Sequence, residues 1–200
     1  MSALLNRKNQ IVQDPPLARF LFADTRASWL WLLVRLWLGY KWIDASMHKL
    51  NNPAWTQTGE AVKGFWTNAV AMPEGAKPAI SFDWYRSFLT MMLDMEAYRF
   101  MAPLIAYGEF LIGVALILGL FTGIAAAAGG FLNWNFMMAG TASTNPLLFV
   151  LALLLVLGWK VAGYIGLDYY LLPMVGTPWR AKEVEAEEEV RPLVTRPSQA

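Results

Sequence analysis

Two charged residues in otherwise apolar segments are the best candidates for chemistry in this chain. Glu109 lies in the hydrophobic stretch 100–120 and Arg35 in the stretch 29–40. A charge at the centre of a membrane helix costs roughly 2.5–3.5 kcal/mol on insertion scales, so such side chains usually face a bundle interior and have partners. A carboxylate in that position can also relay a proton. We therefore predict a polar site inside a helical membrane domain.

The helical periodicity of 100° per residue places Arg35 on one face with Gly39, Trp42, Ser46 and Lys49. Glu109 falls on a stripe of small residues in the next apolar segment, together with Ala102, Ala106 and Gly113. From the rise per residue we predict that Arg35 and Glu109 pair, with Asn133 as a further polar contact. Two interpretations remain open: a structural ion pair that fixes helix register, or a binding pocket.

A second set of polar side chains lies where the first apolar helix should end. His48 and Lys49 follow one another there, close in sequence to Trp55. They could hold an anion or a quinone carbonyl, whereas a lone histidine at such an interface is often simply solvated. The opposite face of the same helix should carry Lys41, Asp44 and His48.

The elements that must position these residues are four apolar segments, at about 28–46, 98–120, 121–140 and 146–167. Each is long enough to cross a hydrocarbon core of ~30 Å. The expected fold is an all-α, integral membrane four-helix bundle within residues 28–173. An aromatic-rich interfacial insert, 47–97, should separate the first two spans. In it, Val62, Phe65, Trp66 and Val70 recur at helical spacing, and the segment 80–93 is interfacial or re-entrant.

The topology follows from the hairpin and the charges of the two tails. The sequence 119–123, between the second and third spans, is so short that these helices must be antiparallel neighbours. An even number of spans places the N-terminal tail, 1–27, and the acidic C-terminal tail, 174–200, on one side. Basic residues in both tails assign that side to the cytoplasm; they are Arg7, Lys8, Arg19, Arg26, Arg180, Lys182, Arg191 and Arg196. We predict a multi-pass protein of the cell membrane.

The composition excludes several kinds of site. The chain has no cysteine and one histidine, so thiolate chemistry, iron–sulfur ligation, a bis-histidine haem and a metal centre are not expected. No glycine-rich dinucleotide fingerprint occurs, and a flavin is not expected either. A net charge of +1 gives no support for binding nucleic acid. If the protein is redox-active, we expect the electrons to reside in a quinone or in a partner subunit.

Several motifs together resemble the DoxX/DoxD family of small four-helix membrane proteins. They are Arg35-Leu36-Trp37-Leu38-Gly39, His48-Lys49-Leu50, Gly108-Glu109-Phe110-Leu111-Ile112-Gly113 and Leu118-Gly119-Leu120-Phe121-Thr122-Gly123. The resemblance covers residues 28 to about 173, and Arg35, Lys49 and Glu109 match polar positions of the family. The aromatic insert 53–95 is longer than in the smallest members. The DoxD branch is described as a membrane subunit of thiosulfate:quinone oxidoreductase.

The resemblance implies a quinone-facing subunit of a redox assembly. A quinone would dock among Trp42, Trp66 and Trp84, with His48 or Lys49 polarising a carbonyl and Glu109 relaying a proton. Thiosulfate or a similar small donor, or a partner subunit, would supply electrons. The alternative is a non-catalytic accessory subunit of a larger respiratory or photosynthetic complex. Expected partners are the lipid bilayer and other membrane or extracytoplasmic redox subunits, and a homo-oligomer is left open.

Overall fold

The chain folds entirely into helices over the residues that the structure describes. This computed structural model describes residues 14–75 and 77–176, and that part of the chain contains no β-strand, which confirms the all-α class. The helices are α1 (Pro16–Ala23), α2 (Ser28–Leu50), α3 (Pro53–Thr56), α4 (Glu60–Val70), α5 (Asp83–Asp94), α6 (Tyr98–Leu118), α7 (Thr122–Met138), α8 (Asn145–Leu157), α9 (Trp159–Ala162) and α10 (Asp168–Leu171). The C-terminal tail lies outside the described residues from position 177 onward.

Three of the four predicted apolar segments correspond to single helices, and the fourth does not. Helix α2 continues four residues past the predicted end at Ser46, while α6 and α7 lie close to their predicted bounds. The predicted helix over 146–167 is wrong in its extent. Helix α8 ends at Leu157, and after Gly158 one further turn, α9, leads into a non-helical return.

Close packing at Gly158 accompanies this break. A Cβ atom at Gly158 would lie 3.3 Å from the rings of Phe22 and Trp31, so α1 and α2 crowd the chain there. The Trp31 indole donates a hydrogen bond of 2.6 Å to the Leu21 carbonyl and stacks on Phe22. Part of the predicted N-terminal tail is thus packed against the bundle.

Two apolar cores hold the helices together. The first lies among α2, α6, α7 and α8, and Leu38, Leu116 and Leu155 are fully buried in it. The second lies under the insert, where Val62 and Trp66 of α4 and Leu89 of α5 pack against the start of α6. The insert therefore forms a helical layer with a core of its own, and the amphipathic helix predicted from Val62, Phe65, Trp66 and Val70 is confirmed as α4.

The exterior of the bundle is strongly apolar. Within the described part of the chain, α6 is the one helix both long and apolar enough to cross a membrane, and α8 is apolar but shorter. Large hydrophobic side chains are nevertheless exposed on all four long helices, for example Trp29 on α2, Leu111 on α6, Ile124 on α7 and Leu157 on α8.

Candidate functional site

An ion pair between α2 and α6 forms the centre of the candidate site. The Lys49 ammonium lies 2.6 Å from Oε2 of Glu109, and the carboxylate is 1% exposed whereas the lysine side chain is 18% exposed. The same ammonium lies 5.2 Å from the centre of the Trp55 ring. Lys49 therefore connects a buried carboxylate to an aromatic surface and reaches the edge of the solvent-accessible region.

A close crossing of α2 and α6 positions this pair. A Cβ atom at Gly113 would lie 2.6 Å from the Ile43 side chain and 2.9 Å from the Gly39 carbonyl oxygen. The two backbones can approach this closely because both helices present glycine at the crossing. Glu109 follows the same face one turn before Gly113, where the side chain of Lys49, lying over the preceding turn of α2, meets it.

The predicted pair between Arg35 and Glu109 is wrong. Helices α2 and α6 run antiparallel, so Arg35, one turn before Gly39, and Glu109, one turn before Gly113, lie on opposite sides of the crossing. Arg35 is level with Gly119, just past the end of α6, and its guanidinium contacts that glycine. Glu109 pairs with Lys49, and the charge that acts on Arg35 is that of Asp168.

Arg35 is held at the end of the bundle by the chain that returns after α9. Its Nη1 donates to the Ala162 carbonyl at 3.3 Å and its Nη2 to the Ile165 carbonyl at 2.6 Å. The opposite charge that acts on it is Asp168. Both side chains are buried, so together they form a second internal ion site, distinct from that of Glu109.

Asp168 is the functional residue that the sequence reasoning missed. Its carboxylate accepts hydrogen bonds from the backbone N–H groups of Phe121 at 2.6 Å and Thr122 at 2.8 Å, at the start of α7. An acid there satisfies free N–H groups and complements the helix dipole. One signal was available in the sequence, because an acid follows an apolar, glycine-containing segment while the 119–123 hairpin carries unpaired N–H groups.

A cavity of about 430 Å³ lies among α3, α4, α5, α6 and α7. Its walls are almost entirely aromatic and aliphatic, and Trp55, Phe65, Trp66 and Phe136 contribute rings. The Trp55 ring lines the cavity and also faces the Lys49 ammonium, whereas Lys49 and Glu109 themselves do not line it. Pockets of this size and character are typical of sites for small apolar ligands.

Tyr85 and Asn135 form a polar contact in the lining of the cavity. The Tyr85 hydroxyl lies 3.1 Å from both the backbone oxygen and the side-chain oxygen of Asn135 and donates to them. Burial raises the pKa of Tyr85 above its usual value, because the charged phenolate is poorly solvated there. The group therefore stays a neutral hydrogen-bond donor at physiological pH.

Trp42 and Asn133 lie inside the first core and not in the cavity. The Trp42 indole packs on Gly129, where a Cβ atom would lie 3.0 Å from its Nε1. Asn133 is fully buried one turn further along α7. The indole N–H and both polar atoms of the amide have no hydrogen-bond partner among the described residues.

The remaining predicted site residues are spread apart. His48 is exposed, as its predicted place on the far side of α2 from Arg35 requires, and it does not join the pair of Lys49 and Glu109. Trp66 lines the cavity, whereas Trp84 is 58% exposed and stacks on Trp134. Trp42, Trp66 and Trp84 therefore do not line one common quinone site.

Comparison with known proteins adds nothing to this geometry: no protein-family model, no curated protein and no solved structure matches the chain.

Proposed function

We propose that this protein is a quinone-binding, membrane-embedded subunit of a redox assembly. The observation that carries the proposal is the position of Lys49, whose ammonium pairs with buried Glu109 and faces the Trp55 ring on the wall of the cavity. A quinone needs an apolar chamber for its ring and tail and a donor for its carbonyl oxygen. The cavity supplies the apolar chamber, and Lys49, which faces the Trp55 ring of its wall, supplies the donor in this proposal.

A membrane location is supported by the apolar exterior and by α6. Helix α6 has a mean hydropathy of 2.0 over its most apolar window and is only one-third buried by its neighbours, so most of its surface is available to lipid. In this proposal α2, α6, α7 and the pair α8–α9 cross the bilayer of the cell membrane. The layer of α4 and α5 then lies at the outer interface, and both termini lie in the cytoplasm.

The size and lining of the cavity support a ring-shaped apolar ligand. About 430 Å³ lies within the usual range for small-molecule pockets. The flat rings of Phe65, Trp66 and Phe136 suit offset stacking against a quinone head group. Tyr85 also lines the cavity, and its hydroxyl, whose proton is donated to Asn135, can accept a hydrogen bond from a hydroquinone.

Lys49 and Glu109 have distinct roles in this proposal. Lys49 donates a hydrogen bond to a quinone carbonyl and stabilises the negative charge that develops there during reduction. Glu109 holds the ammonium in place, and its burial keeps water from competing for that contact. The partial exposure of Lys49 gives it a route for proton exchange with solvent.

Quinone reduction consumes two electrons and two protons, and the described residues of this chain offer no redox centre for the electrons. The resemblance to the DoxX/DoxD family suggests thiosulfate or a similar small donor, oxidised on this protein or on a partner redox subunit. The protons come from solvent through Lys49.

Two neighbouring alanines on α7 give a matched test of the cavity. Ala128 lines it and Ala127 does not, and both are exposed. Ala128→Trp should fill the chamber and weaken binding of a short-chain ubiquinone analogue by about tenfold or more, whereas Ala127→Trp should leave it unchanged. Binding is measured by quenching of tryptophan fluorescence in detergent, with the purified protein extracted for bound quinone beforehand.

Equal quinone affinity in the two variants, or no saturable binding by the unmodified protein, would contradict the proposal. Constant co-purification with a large respiratory or photosynthetic complex, without quinone, would instead indicate the accessory role.

A further inference from the structure

One face of α2 carries a regular seam that the neighbouring helices leave mostly exposed, although Val34 in it touches the first core. Its residues alternate in steps of four and three, which is the spacing of a helix that packs against another long helix. They are Leu30, Val34, Trp37, Lys41, Asp44 and His48. Leu30, Trp37, Asp44 and His48 are exposed, and Val34 and Lys41 are partly buried. The opposite face, with Arg35, Leu38 and Trp42, is the one buried in the bundle.

Lys41 and Asp44 carry opposite charges in the middle of this seam, at the height where the neighbouring helices expose apolar residues. Gly113 of α6 contacts both Gly39 and Ile43, so Lys41 lies at the height of Gly113. Beyond Asp44 in one direction α6 exposes Tyr107 and other large apolar residues, and below Lys41 in the other direction α2 exposes Leu33 and its neighbours. In the proposed membrane the two charges therefore face the hydrocarbon layer.

Lipid is a poor neighbour for such charges. Ionisable residues in membrane helices usually pair with one another or face a polar surface. The Lys41 ammonium lies 5.8 Å from the ring centres of Trp37 and Tyr40. No hydrogen bond or ion pair connects Asp44 with another described residue, so this carboxylate needs a partner from outside the subunit.

We propose that the seam binds a second copy of this chain, with a two-fold axis parallel to α2. The inference rests on the membrane location in the proposed function. Lys41 and Asp44 have opposite charges and are three residues apart, or about 4.5 Å along the helix. In a parallel pair, the long, flexible side chain of Lys41 can span that offset to reach the partner subunit's Asp44. The two-fold axis repeats the contact, which makes the seam self-complementary.

Charge reversal with rescue tests this interface. Lys41→Asp or Asp44→Lys alone places like charges together and should weaken dimerisation in lipid vesicles by about tenfold or more. The double variant restores opposite charges in both symmetric contacts and should recover most of the dimer. The same reversals at Glu60 and Lys63, an exposed pair with the same spacing on α4, are the matched control and should not change it. Association is read by energy transfer between labelled copies.

Cross-linking measures dimerisation without changing the charges, so it can be used if a charge variant folds poorly. The chain has no cysteine, so Leu30→Cys on the seam should form an intermolecular disulfide on mild oxidation in membranes. Leu111→Cys, at a position on α6 that is more exposed than Leu30, should not. Both measurements report association and not quinone affinity. The dimer can therefore be disproved while quinone binding holds, and quinone binding can be disproved while the dimer holds.

A monomeric protein in vesicles, or a dimer that neither Lys41→Asp nor Asp44→Lys weakens, would overturn the proposal. So would loss of a different, co-purifying protein on reversal without recovery in the double variant, because that result assigns the seam to another partner.

Discussion

Glu109 and Lys49 share an ion pair but occupy unequal environments, and this inequality predicts how each responds to mutation. Lys49→Met would leave the 1% exposed Glu109 without its counter-charge, which should cost about 3 kcal/mol of unfolding free energy. Glu109→Gln keeps an acceptor for a lysine that already reaches solvent, so its cost should be about 1 kcal/mol. Chemical unfolding in detergent measures both.

The control for this asymmetry is Lys63→Met, which breaks the exposed pair with Glu60. It should change stability by no more than about 0.5 kcal/mol. A smaller loss for Lys49→Met than for Glu109→Gln would show that the carboxylate is not the more deeply buried charge.

Asp168 should contribute more to stability than its position near the end of the apolar sequence suggests. Asp168→Asn removes the charge beside Arg35 and one of the two acceptors for the α7 N–H groups, so we expect a loss of about 2–4 kcal/mol. The comparison is Asp94→Asn at an exposed position, where the expected change is within about 0.5 kcal/mol. Thermal unfolding followed by circular dichroism distinguishes them, and equal losses would refute the role of Asp168.

At the scale of single residues, the sequence predicts that Arg35 and Glu109 are buried, but it does not predict which residues they pair with. A charge inside an apolar helix has to be buried, and Arg35 and Glu109 are. Their partners, Asp168 and Lys49, lie 133 and 60 positions away along the chain. Which of several buried charges meet depends on the relative height of the helices, and periodicity within one helix contains no such information.

Among the elements, the crossing of α2 and α6 makes two glycines of one helix respond oppositely to the same change. Gly113→Ala would drive a methyl group to within 2.6 Å of Ile43 and 2.9 Å of the Gly39 oxygen, and should cost about 1–3 kcal/mol. Gly108→Ala meets no atom within 4 Å and should stabilise the helix by up to about 1 kcal/mol. Equal effects in unfolding experiments would rule out the close crossing.

The elements that the sequence predicts best are those with a local signal. Apolar length indicates α2, α6 and α7, and the short link at 119–123 indicates the hairpin, whose Gly119 adopts the left-handed region with φ of 67°. The segment 146–167 misleads, because it stays apolar through the break after Leu157. The break coincides with close packing of Gly158 against Phe22 and Trp31, which are far away in sequence.

For the whole molecule, the proposed topology predicts which positions react with an impermeant thiol reagent. Ser2→Cys and Ser198→Cys should both label from the cytoplasmic side. Glu74→Cys, in the turn between α4 and α5, should label from the opposite side. Labelling of whole cells and inverted vesicles provides the measurement, and reaction of the two terminal positions from different sides would exclude an even number of crossings.

The error in pairing Arg35 with Glu109 also originated at this scale. The prediction placed the starts of the first two spans at opposite surfaces of one slab. In the folded chain α2 begins well beyond the end of α6, since Arg35, two turns into α2, is already level with Gly119. Such an axial offset results from the sum of all helix contacts, so no single segment encodes it.

The hydrogen bonds that Arg35 donates to the chain after α9 also have a consequence for biosynthesis. The carbonyl groups that receive this guanidinium are translated 127 and 130 residues after it, and the carboxylate that caps α7 comes later still. Until those residues emerge from the ribosome, the nascent protein carries an arginine without acceptors and a hairpin with free N–H groups. A polypeptide that stops before residue 168 would therefore lack the carboxylate that caps α7, and the hairpin would keep its free N–H groups.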